Sequence, residues 1–398
     1  MPDVAPEAEL GLLLAGTQGR RERSADRIRA LAVDIDERAF VDFLVDQRLL
    51  LLAGTRLAEL APEALSEDFH RRLAAALTGA RMGGMLFASA GRHLTTALEQ
   101  EGIPAVELKG AALAADLYGD EALRSYADID VLVPAQTLDG AVAVARRLGW
   151  DEPGAARDGL PTLHRWLNHP EGKLPVLELH WRVHWYESHF ASAALARSRV
   201  VDGVRRLEPI DQLAALLLFY ARDGFTGLRL AADVGAWWDR YGDAATPATL
   251  ERLARAHPEL AEAWRTALVA VAPIAGLPMS ALPASTRPRG RRAALAWRLR
   301  NWDQRGDVDQ IRANVTLVDG LLTPLSDLGA FLRRHVLTRA PFLRETYGVS
   351  PDDRWRIAGL GSWHAIKTCA RYAAALWALR RGRRWSPLPP WAAYPRRG

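Results

Sequence analysis

The sequence has only one cysteine, Cys369, among its 398 residues. A single thiol cannot form an internal disulfide, and no cysteine and histidine cluster has the spacing of a zinc site. A secreted domain stabilised by internal disulfide bonds and a zinc-finger protein are therefore both excluded. We expect a protein of a reducing compartment.

Long apolar runs are also missing. The longest ones, within residues 213–220 and 267–277, fall well short of the roughly 20 residues that span a bilayer. The first nine residues carry acids where a secretory signal would carry bases. These two absences predict a cytoplasmic protein with no membrane partner.

Charge is in modest excess and unevenly distributed. The net charge is +5, and arginines crowd residues 287–300 and 371–397, the second stretch without any acid. Such clusters can hold phosphates or nucleic acid. Because arginine is abundant throughout the chain, we interpret them first as solvated surface.

The chain is long enough for two or three structural units. Apolar periodicity predicts a helical region over residues 1–100, including a long helix over 67–100, and an α/β core over 101–190. A second helical region follows over 191–398, with a last helix over 362–381 and a basic, proline-rich extended tail. The predicted fold class is α+β and mostly helical.

Two carboxylates, Asp128 and Asp130, stand one residue apart on a strongly apolar strand. Alternate strand side chains share a face, so these two acids project from the same side. They repel each other unless a cation lies between them, and Mg²⁺ prefers oxygen ligands. Gly110 precedes them at a strand-to-helix turn, where backbone N–H groups and the helix dipole could hold phosphate.

A third carboxylate comes from a later predicted strand over residues 176–183. Alternation places Glu178 on the same face as His180 and opposite Leu177 and Leu179. Glu178 would complete a three-acid metal site. His180 is interpreted first as a hydrogen-bonded core residue and second as a catalytic one.

These residues resemble a poorly characterised bacterial nucleotidyltransferase family within the DNA-polymerase-β-like superfamily. The resemblance rests on the run of Lys109 and Gly110, on Arg124, on the acidic pair and on the later Glu178. It implies a small α/β core that uses two Mg²⁺ ions, or Mn²⁺, to move a nucleoside monophosphate from an NTP to an acceptor hydroxyl. Asp128, Asp130 and Glu178 would then be the metal-binding and catalytic residues.

The same resemblance assigns the nucleotide contacts. Gly110 corresponds to the glycine of the phosphate turn, and Ala111 follows it where the wider superfamily has serine or glycine. Lys109 and Arg124 are therefore the candidates for triphosphate contacts, with Arg229 as a more remote one. The resemblance extends to Asp233, which we interpret as the partner of Arg229 one helical turn away.

Two other functions stay open from the sequence. An Asp-x-Asp glycosyltransferase also binds Mn²⁺ or Mg²⁺ through such a pair, although a nucleotide-sugar-binding unit normally precedes that motif. A degenerate transferase could instead bind RNA or a partner protein through its basic regions. For the leading hypothesis, a small-molecule or peptide acceptor is favoured, a nucleic acid is an alternative, and any of the four NTPs, ATP included, fits.

Overall fold

The computed structural model describes residues 5–152, 163–201, 203–278, 290–300, 308–337 and 353–381, together with residues 343 and 350. Within these residues the chain forms 17 α-helices, one four-stranded mixed sheet and one two-stranded sheet. The prediction of a mostly helical α+β protein is confirmed.

Six helices precede the sheet. They are α1 (Pro6–Ala15), α2 (Gln18–Arg23), α3 (Ala25–Asp34), α4 (Glu37–Asp46), α5 (Leu50–Leu60) and α6 (Glu67–Gln100). The last of these has the predicted bounds, because the Ser66 side chain accepts a hydrogen bond from the backbone N–H of Phe69 at 3.1 Å and caps the first turn.

The sheet is formed by β1 (Val106–Glu107), β2 (Asp128–Leu132), β3 (His164–Leu167) and β4 (Val176–His180), in the spatial order β1-β2-β4-β3. Two helices interrupt the strands, α7 (Gly110–Tyr118) and α8 (Leu138–Arg147). β2 and β4 run parallel at the centre, whereas β1 and β3 are antiparallel to their neighbours. The parallel pair brings the two acid-bearing strands side by side.

The two faces of the sheet have different chemistry. One face packs against α6 and α8 and buries an apolar set: Ile129, Val131, Leu167, Leu177 and Leu179. Because strand side chains alternate, the acids of β2 and β4 are left on the other face. The alternation predicted for Leu177, Glu178 and Leu179 is therefore confirmed.

The remaining elements are α9 (Phe190–Arg197), β5 (Arg199–Val201), β6 (Val204–Arg206), α10 (Pro209–Arg222), α11 (Arg229–Tyr241), α12 (Pro247–Ala256), α13 (Ala261–Ala275), α14 (Gly290–Arg298), α15 (Val308–Leu322), α16 (Leu328–His335) and α17 (Arg354–Arg380). The β5–β6 hairpin lies in a region predicted to be helical throughout. α17 begins eight residues earlier than predicted, where the Asp353 side chain accepts a hydrogen bond from the N–H of Arg356 at 3.0 Å. The predicted extended tail lies outside the described residues.

The main hydrophobic core contains side chains from both helical regions. Leu10 and Phe43 from the N-terminal helices share it with Phe219, Trp237 and other residues of the C-terminal helices. The backbone N–H of Thr17 also donates to the carbonyl of Ala275 at 2.7 Å. The division at residues 100 and 190 stays a prediction.

One described helix, α6, is long and apolar enough to cross a membrane by length and composition alone. Its C-terminal half contributes the buried Ala90, Leu94 and Leu98 to the core beneath the sheet. Core helices of soluble proteins pass the same length and composition test. We therefore describe α6 as a support of the sheet.

Candidate active site

The three predicted metal-binding acids converge on one face of the sheet. The register pairs Asp130 of β2 with Glu178 of β4, and Asp128 lies on the same face two residues before Asp130. One carboxylate oxygen from each of the three residues lies within 4.8 Å of the others. The structure thus brings together the three residues that the sequence singled out.

Two basic side chains hold the central acid. The Asp130 Oδ1 atom lies 3.1 Å from Lys109 Nζ and 3.0 Å from His180 Nε2. His180 Nε2 also lies 3.1 Å from Glu178 Oε2, so this buried histidine bridges two of the acids. The interpretation of His180 as a hydrogen-bonded core residue agrees with this placement, but its partners belong to the site itself.

Burial and neighbouring charges shift the pKa values of Asp130 and Asp128 in opposite directions. Burial alone would raise the pKa of Asp130, but Lys109 and His180 outweigh it and hold that pKa far below its usual range. Burial, and then the charge of Asp130, raise the pKa of Asp128. For His180, burial acts to lower the pKa, but hydrogen bonds to Asp130 and Glu178 raise it overall.

The donor set fits a hard divalent cation. Carboxylate oxygens are the ligands that Mg²⁺ prefers, and three of them converge here. Asp130 Oδ2 is buried and finds no hydrogen-bond partner among the residues that the structure describes, although buried polar atoms are usually paired. A cation would satisfy this atom and reduce the repulsion between Asp128 and Asp130.

His164 is a member of the site that sequence reasoning missed. It lies on edge strand β3 directly opposite His180, with ring centroids 4.7 Å apart, and its Nδ1 is 3.6 Å from Glu178 Oε2. Together with Glu178 and His180 it forms a second group of potential metal ligands. His164 reaches the site because β3 pairs antiparallel with β4 in a register that places it opposite His180. This register could not be predicted from the sequence.

The environment keeps His164 neutral near pH 7. Burial, and then the nearby charge of His180, lower the pKa of His164 to about 4. A neutral imidazole can accept a proton or a hydrogen bond. His164 is therefore available as an acceptor beside Glu178.

The start of α7 differs from a simple phosphate turn. Gly110 has φ +73°, a left-handed conformation that favours glycine, and a Cβ there would meet Glu107 Oε1 at 2.6 Å. Glu107 Oε1 accepts a hydrogen bond from the backbone N–H of Ala112 at 3.3 Å. A carboxylate of the chain itself thus contacts the first turn of α7, where the sequence predicted that Gly110 and Ala111 would hold phosphate.

Glu107 should make stability depend on pH. Burial raises the pKa of Glu107 to about 7 from an ordinary 4.5. Between these values the folded state keeps a proton that the unfolded state loses, so the free energy of unfolding should fall as pH rises from about 5 to about 7.

The variant Glu107→Gln removes this titration while keeping an acceptor at α7. We expect urea unfolding to show a shallower fall in stability over this pH range for Glu107→Gln than for the wild type. The exposed Glu63→Gln serves as a control and should follow the wild type. Parallel curves for Glu107→Gln and the wild type would contradict the assignment.

Arg124 lies in a buried ion pair. Its Nε is 3.1 and 3.0 Å from the two carboxylate oxygens of Asp233, and both side chains are almost fully buried. Tyr118 Oη donates to the same carboxylate at 2.9 Å. This corrects the interpretation of Asp233 as the partner of Arg229, which instead donates from Nη1 to the carbonyl of Ser125 at 2.8 Å. Arg124 joins the loop before β2 to α11, and its role as a phosphate contact stays a prediction.

A further cationic side chain, Arg222, packs on the same aromatic ring as Lys109 and was also missed. Phe219 of α10 has Lys109 Nζ at 4.1 Å and the Arg222 guanidinium carbon at 4.8 Å from its ring centroid. Arg222 is partly exposed, and its charge helps to lower the pKa of His164. The only sequence signal was an arginine in the last turn of a helix, and tertiary packing alone brings it to the site.

The comparison with known families agrees with this arrangement. A family described as an uncharacterised nucleotidyltransferase matches residues 34–272, which is more than half of the chain. The chain belongs to this nucleotidyltransferase family. No curated protein and no solved structure matches the chain.

The nucleotidyltransferase region contains the whole candidate site. It extends from the last residue of α3 into α13 and therefore includes the four-stranded sheet, the three acids and the Arg124–Asp233 pair. It also includes Phe219 and Arg222 of α10. The region matched by the family thus includes every residue of the candidate site.

Proposed function

We propose that this chain is an Mg²⁺-dependent enzyme that transfers a nucleoside monophosphate from an NTP to a hydroxyl of a small-molecule or peptide acceptor. The convergence of Asp128, Asp130 and Glu178, in a member of a nucleotidyltransferase family, carries the proposal. Family membership favours nucleotidyl transfer over glycosyl transfer. The placement in the polymerase-β-like superfamily is part of the same proposal.

The three acids would hold divalent cations on the open face of the sheet. Cations bound there would polarise the reacting phosphoryl group and offset the negative charge of the leaving group. Lys109 and His180 both contact Oδ1 of the central Asp130, so they fix the position of its carboxylate. This positions charge before the substrate arrives, which is the main requirement for phosphoryl-type transfer.

The triphosphate would bind to Lys109 and Arg222 above the ring of Phe219. The ring packs against both side chains and limits their freedom, so less conformational entropy is lost when an anion binds. Because Glu107 contacts the first turn of α7, these two cations take the larger share of phosphate binding in the proposal.

The acceptor hydroxyl would approach beside Glu178 and His164. Burial opposes ionisation of Glu178, but the hydrogen bond from His180 lowers its pKa, so its carboxylate is charged at neutral pH. A charged carboxylate next to a neutral His164 can accept the hydroxyl proton. The half-exposed Trp166 lies opposite Glu178 in the register and offers a flat apolar surface for a base or an acceptor.

Replacing Arg222 should weaken nucleotide binding without removing the metal site. We expect Arg222→Ala to raise the KM for NTP roughly 10- to 100-fold, because losing a hydrogen bond to a charged group costs about 1.5–3 kcal/mol. Steady-state kinetics at saturating Mg²⁺ measures this. Arg255→Ala, an exposed arginine on α12, is the matched control, and equal KM values for both variants would contradict the role of Arg222.

Pyrophosphate release tests the activity itself. The wild type, incubated with each of the four NTPs and a panel of hydroxyl-bearing acceptors, should release pyrophosphate only with Mg²⁺ or Mn²⁺. Mass spectrometry should then find the acceptor heavier by one NMP group. Metal-independent release would exclude the proposed chemistry.

A further inference from the structure

The last helix presents an apolar face that the proposed catalytic function does not use. Four large apolar side chains of α17 are exposed: Trp355 by 90%, Trp363 by 56%, Ile366 by 63% and Trp377 by 50%. At about 100° per residue their positions fall within an arc of about 80°. They form one stripe along the helix, which we call the tryptophan stripe.

The stripe faces outward because the opposite side of α17 is fixed against the protein. Ala375 and Leu379 are buried, and Tyr372 Oη donates to Thr316 Oγ1 of α15 at 2.9 Å. His364 Nε2 also lies 3.4 Å from the carbonyl of His335 at the end of α16. Rotation of α17 to bury the stripe would break these contacts.

Small residues separate the large ones. The exposed positions between Trp355 and Trp377 also include Gly359, Ser362, Ala370 and Ala373. Such residues allow the indole rings to project above the helix surface. A helix of 27 residues is about 40 Å long, so the stripe forms an extended, narrow surface.

The charge of α17 has one sign. From residue 354 to residue 381 the chain has no aspartate or glutamate and has six arginines and lysines. Exposed Arg356 lies near one end of the stripe, and exposed Arg380 and Arg381 lie at the other. The Arg381 guanidinium carbon lies 3.8 Å from the ring centroid of Trp377, so the two side chains meet at the edge of the stripe.

We propose that the tryptophan stripe docks α17 flat on an anionic lipid bilayer. Indole rings favour the boundary between headgroups and acyl chains, and arginines at both ends would contact acidic headgroups. The cytoplasmic leaflet has the required negative surface charge. The sequence predicted no membrane partner because its apolar runs are too short to span a bilayer. A helix that lies on the bilayer surface does not need a long apolar run.

The distribution of charge favours a bilayer over two other partners. Nucleic acid presents phosphates at regular intervals, yet the exposed residues Ile366, Cys369, Ala370, Ala373 and Ala374 in the middle of the stripe carry no charge. Lys367 and Arg371 of the same segment are only partly exposed and lie outside the arc of the stripe. A second copy of α17 would bring arginines close to arginines in either a parallel or an antiparallel arrangement. An anionic bilayer can contact the apolar middle of the stripe with its acyl chains and the basic ends with its acidic headgroups.

Vesicle co-sedimentation of the full chain tests this. Vesicles with about one third phosphatidylserine should bind the wild type, whereas pure phosphatidylcholine vesicles should bind it at least about tenfold more weakly. Trp355→Ala/Trp363→Ala should lose most of the binding to anionic vesicles, and Arg380→Gln/Arg381→Gln should weaken it on the order of tenfold. These side chains are exposed, and circular dichroism should show unchanged thermal unfolding for both variants.

A second pair of exposed apolar residues supplies the matched control. Met82 and Met85 of α6 are 71% and 65% exposed, and Met82→Ala/Met85→Ala should bind vesicles like the wild type. Any of three results would overturn the proposal: equal binding to neutral and anionic vesicles, loss of binding in the methionine variant only, or full binding by the tryptophan variant. So would dimerisation or single-stranded RNA binding that depends on the stripe while vesicles are not bound. None of these readouts uses catalytic activity.

Discussion

Asp130→Asn should reduce metal-dependent nucleotidyl transfer by about a thousandfold or more. The substitution keeps the size of the side chain but removes the charge at the centre of the acidic cluster, where Asp130 Oδ2 is buried and unpaired within the described part of the chain. Stabilisation by a bound cation contributes several kcal/mol, and each 1.4 kcal/mol corresponds to about a tenfold change in rate. The measurement is pyrophosphate release per folded enzyme at saturating Mg²⁺.

The matched control for this prediction is Asp139→Asn. The side chain of Asp139 on α8 is 94% exposed, so its loss should leave the rate unchanged. Because Asp130→Asn also leaves Lys109 and His180 without their shared acid, its stability is measured in parallel. An Asp130→Asn enzyme that keeps more than a tenth of the wild-type rate would remove Asp130 from the proposed metal site.

The second large effect concerns stability. Arg124→Ala and Asp233→Ala should each lower the free energy of unfolding by about 3–5 kcal/mol, since each leaves a buried charge without its partner. Asp233→Ala also removes the acceptor of Tyr118 Oη. Urea unfolding measures both values.

A double variant distinguishes a lost ion pair from general damage. Arg124→Met/Asp233→Leu removes both charges, so it should be more stable than the less stable of the two single variants. The exposed pair Arg29 and Asp26 provides the comparison, and Arg29→Ala should cost less than about 1 kcal/mol. Additive losses in the double variant would show that the pair is not coupled.

The shared face of the three acids could be predicted because side chains alternate between the two faces of a strand. Asp128 and Asp130 had to share a face, and Glu178 had to oppose Leu177 and Leu179, because strand side chains have a period of two. Apolar periodicity likewise predicted the bounds of α6. These features depend only on neighbours in the chain.

Contacts between distant elements could not be predicted in the same way. His164 enters the site through the register of β3 against β4, and Arg222 is brought near it by Phe219 of α10, whose ring also contacts Lys109 and His180. The Arg124–Asp233 pair joins residues 109 positions apart, whereas sequence spacing favoured the local partner Arg229. Each of these depends on tertiary structure that a local pattern does not contain.

The most direct test of the central claim is a thermal-shift measurement with each NTP, with and without Mg²⁺. A ligand that binds only the folded state adds about 2.7 kcal/mol of stability at a concentration 100 times its Kd. We predict that at least one NTP raises the Tm of the wild type by several degrees only when Mg²⁺ is present, and that Asp128→Asn/Asp130→Asn abolishes the shift. No shift with any NTP, or the same shift in the double variant, would contradict a nucleotide site built on these acids.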